Sequence, residues 1–218
     1  MNAKLKQNNY YSTFIFILFF TAFSAKIEAQ KNYKILPDTL ITTNMKRDTL
    51  DIEYFEKNQK DDDLTILKND GTNIRQFKSG FHDGYVEYFI PPLPKLYRIY
   101  KEYYKNGKLK IFGYRLYPGI RISKWYYYDE KGKETIVDED LKFGKFDYNK
   151  VVQMLAKMGY VNLQTGQGRE RLQFGYDKEK KLWIIHVLQK EDNSEMGRLL
   201  HIDGNSGKIK KSEPWSYY

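Results

Sequence analysis

YKEYYKNGKLKIFGYRLYPGIRISKWYYYDEKGKETIV, residues 100–137, decides the fold. Asn106-Gly107 suits a two-residue hairpin turn in which both central residues take positive φ. That register sets Tyr104 opposite Leu109 as an aromatic–aliphatic cross-strand pair. Lys131-Gly132 marks a second turn, and strands are expected over 96–104, 108–117 and 121–128. Aromatic and β-branched residues occupy both parities of these strands, which predicts a meander with partial cover on each face.

A weaker copy of the pattern lies upstream. It runs through Asn69-Asp70-Gly71, Phe77, Gly80 and Gly84 to Tyr85, Tyr88 and Phe89. In the main copy the corresponding residues are Asn106, Gly107, Lys108 and Leu109, then Gly113 and Gly119, then Trp125, Tyr126 and Tyr127. This arrangement resembles MORN-type repeats of the variant found in antitoxin-like and envelope proteins. Ser123 stands where that family usually has a glycine before its aromatic strand. Pro91, Pro92 and Pro94 separate the copies and cannot donate to a sheet ladder, so they mark a crossover. Two repeats seldom stand alone, so a further layer is required.

Beyond residue 138 the period changes. Asp138, Glu139, Asp140 and Gly144 read as a linker over 138–145. Asp147 can then cap a helix over 148–158, with Gly159 closing it. Tyr148, Val151, Val152, Leu155 and Met158 form one apolar stripe. Strands are expected over 169–176, 182–188, 197–203 and 208–211. Trp183, Ile185 and Val187 share one face, as do Leu200 and Ile202, and both sets can cover the helix. LWIIHVL and GRLLHIDGNSGKI at 182–188 and 197–209 make residues 146–218 resemble a PepSY-like domain. The fold class expected is therefore mainly β: a MORN-like antiparallel β-meander over 69–137, followed by an α+β module with a helix on a small antiparallel sheet.

The N-terminus carries Lys4 and Lys6, an apolar run over 14–23, and small residues up to Ala29. That is the anatomy of a signal peptide, residues 1–29, cleaved near Ala29. The run falls short of the roughly 20 residues a span needs. No transmembrane span is expected after cleavage, and the product is expected in the periplasm or secreted. Residues 30–68 read as a lead-in with short strands, one of them over 49–55. The chain has no cysteine, which excludes disulfides, thiolate metal sites and a cysteine nucleophile. Its formal charge of +9 becomes +7 once Lys4, Lys6, Lys26 and Glu28 are removed. Export makes nucleic acid an unsuitable partner; a protein partner, an anionic glycan or the envelope surface suits a basic exported chain better.

Candidate chemistry is sparse. His186 and His201 fall on one sheet face and form a weak metal candidate, since two imidazoles lack further ligands unless Glu191, Asp192 or Glu195 joins them. Ser79, His82 and Asp83 are too close in sequence to converge as a triad. Asp61, Asp62 and Asp63 lack the spacing of a calcium loop. No cofactor and no catalytic residue is assigned. The candidate binding surface is a Tyr–Lys face made by Tyr103, Tyr114, Trp125, Tyr126, Tyr128, Lys110 and Lys124. The expected function is a non-enzymatic interaction protein of the bacterial envelope. The two resemblances imply an inhibitor or immunity role. The rivals are a glycan-acting enzyme, which needs two convergent carboxylates, and a structural repeat protein of the envelope.

Overall fold

Three turns of one backbone design fold the chain into its first sheet. In each, a glycine N–H donates three residues back: Gly71 to Lys68, Gly107 to Tyr104 and Gly132 to Asp129, at 2.8–3.0 Å. These glycines take φ of +82°, +77° and +84°. Each turn is a type I turn closed by a glycine bulge, which needs only one residue at positive φ. The two-residue turn expected at Asn106-Gly107 does not form. The Asn106 side chain instead accepts from the Lys108 N–H at 3.0 Å, and Tyr103, not Tyr104, faces Leu109.

The computed structural model describes residues 34–36, 49–80, 83–117, 119–188 and 196–216. The proposed signal peptide and its cleavage point lie outside them. Seven strands form an antiparallel meander in sequence order: β1 (Asp63–Leu67), β2 (Asn73–Lys78), β3 (Gly84–Ile90), β4 (Tyr97–Tyr104), β5 (Leu109–Leu116), β6 (Arg121–Tyr128) and β7 (Glu134–Asp138). A second antiparallel sheet has the order β11-β10-β9-β8, from β8 (Leu172–Asp177), β9 (Leu182–Leu188), β10 (Met196–Asp203) and β11 (Ile209–Ser216). The two helices described are α1 (Ile52–Asn58) and α2 (Tyr148–Lys157). The protein is mainly β with an α+β C-terminal part.

The strand expected over 49–55 is a helix. Asp51 caps it by accepting from the Tyr54 N–H at 2.9 Å, and Glu53 and Lys57 suit its two ends. Extended pairing stops at Thr49, which bridges Lys108. Phe55 is buried and meets Tyr85 edge-on at 5.3 Å.

The segment read as a linker is packed. Asp138 caps a short 3-10 turn, Glu139–Lys142. Asp140 accepts from the Ser123 N–H at 2.7 Å, and burial first of all pushes its carboxyl above the ordinary aspartate value. Ser123 takes φ of +60°, a conformation glycine adopts freely, so this hydrogen bond holds a strained serine in a bulge of β6. Phe143 then stacks on Trp183 at 4.9 Å. Arg169 donates to the carbonyls of Pro91 and Lys95 at 3.1 and 2.7 Å. Residues Ile35–Tyr218 make one compact unit through these contacts.

In the C-terminal part the periodicities carry over with two exceptions: Met158, expected in the helix stripe, is exposed just past the helix end, and Arg169–Arg171, expected as strand, form a 3-10 turn. Asp147 caps α2, and Tyr148, Val151, Val152 and Leu155 are buried. Trp183, Ile185 and Val187 alternate inward on β9. Ile185 faces Leu200, which is buried with Ile202. Leu155→Ala is expected to cost about 2–5 kcal/mol, read from denaturant unfolding. The β10–β11 turn is held by Asp203, whose carboxylate accepts from the Asn205 N–H, the Ser206 N–H and the Ser206 hydroxyl. The Ser206 backbone bond above all, then its hydroxyl, lowers the Asp203 carboxyl to about 2. A depressed carboxyl stabilises the fold above its unfolded value near 3.8 and loses that contribution as pH falls through about 2. A carboxyl-detected NMR titration is expected to place the Asp203 midpoint near pH 2.

Candidate functional site

Cross-strand partners share a face, so register sorts the meander's side chains. The inner face carries Tyr97, Ile99, Tyr103, Phe112, Tyr114, Leu116, Ile122 and Tyr126, all buried. It also holds a polar cluster, in which the Glu87 carboxylate accepts from Gln76, Tyr103 and Lys101 at 2.7, 3.2 and 3.3 Å. The exposed Tyr–Lys face is thus corrected at its aromatic centre: Tyr103, Tyr114 and Tyr126 are core. Trp125 is on the opposite face but fully buried. Tyr128 is half-buried and donates to Glu134 at 2.9 Å. Lys110 is half-buried and pairs with Glu102 at 2.6 Å, and Lys124 is exposed. These seven residues do not form one surface.

The outer face holds a different arrangement. Phe77, Tyr88, Tyr100 and Trp125 form a ladder of rings across the sheet, with successive centroids 5.8, 5.5 and 5.5 Å apart. Gly113 lies under the Trp125 ring, so β5 contributes the gap that the indole fills. Guanidiniums roof the ladder. Arg98 lies 4.1 Å from the Tyr88 ring, Arg115 4.8 Å from Tyr100, and Arg121 4.2 Å from Trp125.

Three of these arginines stand in a row. Arg98 faces Arg115, which faces Arg121, across three adjacent strands. Like charges directly opposite one another destabilise a sheet. Arg121 is relieved by Glu139 at 3.7 Å and bonds the Tyr127 hydroxyl at 2.9 Å. Among the described residues, no carboxylate pairs with Arg98 or Arg115. The Nε of each is buried without a hydrogen-bond partner. Burial first, and then the nearby Arg115 charge, push the Arg98 guanidinium below its ordinary value. The signal that could have found this pair is the repeated Tyr-Arg-aliphatic-Tyr, YRIY at 97–100 and YRLY at 114–117, whose antiparallel pairing brings the two arginines together.

The remaining candidates are placed as follows. His186 meets the Trp215 ring edge-on at 4.7 Å, and its Nδ1 is buried without a hydrogen-bond partner. Burial, and then His201, lower its basicity. Among the described residues, no group of three or more His, Asp or Glu is placed to hold a metal ion. His82 and the loop with Glu191, Asp192 and Glu195 lie outside the described residues. Among the described residues the buried carboxylates are Glu87 and Glu102, and they occupy opposite faces of the sheet. They cannot flank one scissile bond as a glycoside hydrolase requires. No helix among the described residues is long and apolar enough to cross a membrane.

Comparison with known proteins finds no matching family model, no matching curated protein and no matching solved structure.

Proposed function

We propose that this chain is an exported, non-enzymatic binding protein of the bacterial envelope, and that the outer face of its first sheet engages an anionic partner. The observation that carries this reading is the facing pair Arg98 and Arg115, which no carboxylate among the described residues compensates. Two apposed, half-buried cations repel one another, and a counter-charge supplied from outside the fold relieves that repulsion. The rings beneath hold both guanidiniums in place, which lowers the entropy lost when a partner docks. The MORN-type and PepSY-like resemblances, with the inhibitor or immunity roles they imply, point the same way. Export rests on the apolar run over 14–23 and the small residues before Gln30. Mass spectrometry of the native protein is expected to find Gln30 first.

Photo-crosslinking in the native host tests the surface. A photoreactive residue at Ile111 or Thr135, both on the outer face, is expected to capture a discrete partner, and the exposed Glu179 serves as the comparison site. Capture from the outer face that is lost with Arg98→Gln supports the reading. Equal capture from Glu179, or none from the outer face, overturns it.

A further inference from the structure

We infer that Arg98 and Arg115 form a two-guanidinium clamp for one phosphate monoester group. The inference rests on the outer face being the working surface and names the chemistry it receives.

The two side chains are cross-strand neighbours, and each lies over a tyrosine ring of the ladder. The rings Tyr88 and Tyr100 are themselves in contact at 5.5 Å, so the two guanidiniums lie over neighbouring rings. Neither side chain is fully buried, while both Nε atoms are sheltered and unbonded. The acidic groups on this face are engaged elsewhere. Asp63 pairs with Arg75, Glu102 with Lys110 at 2.6 Å, and Glu139 with Arg121 and with Lys142 at 2.8 Å. A further cation stands at the margin. Arg169 lies 4.9 Å from the Tyr117 ring, which is also 5.8 Å from Arg98, and two backbone carbonyls pin it there.

Charge decides which oxyanion fits. A guanidinium presents a rigid fork that pairs two donors with two oxygens. One carboxylate satisfies one fork and leaves the second cation uncompensated. A phosphate monoester carries about −1.5 to −2 charges at pH 7 and three acceptor oxygens, so it matches two forks at once. A phosphodiester has a single charge and two free oxygens, and it matches one. The site therefore takes the terminal monoester, whether that group is carried by a soluble phosphorylated molecule or by a lipid headgroup.

Calorimetry on the chain from Gln30 onward, at fixed ionic strength, tests the clamp with inorganic phosphate, glycerol 3-phosphate and acetate. Vesicles of phosphatidylcholine with phosphatidic acid, or with phosphatidylglycerol, form the lipid arm. The two phosphates are expected to bind once per chain and acetate far more weakly. Arg98→Gln or Arg115→Gln is expected to weaken phosphate roughly tenfold to a hundredfold. Arg115→Lys keeps the charge and loses the fork, so it also weakens binding, whereas Lys124→Gln leaves it unchanged. Preference for phosphatidic acid vesicles identifies a headgroup source, and binding of glycerol 3-phosphate without the vesicles identifies a soluble one; either supports the clamp. Acetate binding as tightly as phosphate, or phosphate binding indifferent to Arg98→Gln and Arg115→Gln, overturns it. Outer-face crosslinking that persists without any phosphate binding rejects the clamp alone, while phosphate binding without outer-face crosslinking rejects the partner surface alone.

Discussion

Trp125→Ala is expected to lower the unfolding free energy by about 3–5 kcal/mol, the largest loss in the first sheet. The indole is fully buried on the outer face, where its neighbour Tyr100 keeps partial contact with solvent. It stacks on Tyr100, donates Nε1–H to the Tyr114 carbonyl at 3.1 Å, and lies beneath Arg115 and Arg121. Gly113 makes that position available. A Cβ there would stand 2.3 Å from the ring, against backbone that cannot move without breaking the β4–β5 ladder. Gly113→Ala is therefore expected to cost about 1–3 kcal/mol or more by overpacking. The two changes act on one contact, so the double variant is expected to lose clearly less than their sum. Denaturant melts of the four proteins check this. Strict additivity would mean that the ring does not rest on Gly113.

In the second sheet, Trp183→Ala is expected to cost about 3–5 kcal/mol. The ring is fully buried between Phe143, stacked at 4.9 Å, and Tyr176 at 4.7 Å. Its Nε1–H donates to the Phe146 carbonyl at 2.8 Å. Trp183→Phe keeps most of the apolar contact and removes the donor, for an expected loss of about 1–3 kcal/mol. Because Phe143 belongs to the joint between the sheets, both variants are also expected to loosen residues 138–145, read as faster amide exchange at Ser123 and Gly144. A neutral Trp183→Ala would place the wrong residue at the centre of this module.

The C-terminal half was legible because one period governs each of its elements. The α2 stripe repeats every three to four residues, β9 alternates cleanly, and the Ile185–Leu200 pairing follows from placing the apolar sets together. The meander was legible in the places of its turns and in its strand order, and not in the type of turn at Asn106-Gly107 or in its faces. Bulges between Glu102 and Tyr103 and around Ser123 break the two-residue period. Trp125 and Tyr126 point to opposite faces, as successive strand residues do, and both are buried, so alternation alone does not tell the inner face from the outer one. Tyrosine adds to the ambiguity, since its ring suits a core and its hydroxyl suits a surface. The lysines between the tyrosines drew notice as the charged partners, yet the cations that lie on rings of the outer ladder are arginines. Residues 49–55 alternate like a strand, but Asp51 offers a cap and Phe55 needs only one buried side, so the helix wins.

The account depends most on Arg98 and Arg115 lying unpaired on the outer ladder. Proton–nitrogen spectra of the arginine Nε–H groups read this directly. The Arg98 and Arg115 signals are expected upfield of an exposed arginine, shifted by the Tyr88, Tyr100 and Trp125 rings, and slow to exchange because both Nε atoms are sheltered. Tyr88→Leu is expected to move the Arg98 signal, and Tyr100→Leu the Arg115 signal, toward the position of an exposed arginine, with the remaining shift left by Tyr117 and Trp125. Arg98 and Arg115 signals that already coincide with exposed arginines in the unmodified protein would contradict the account.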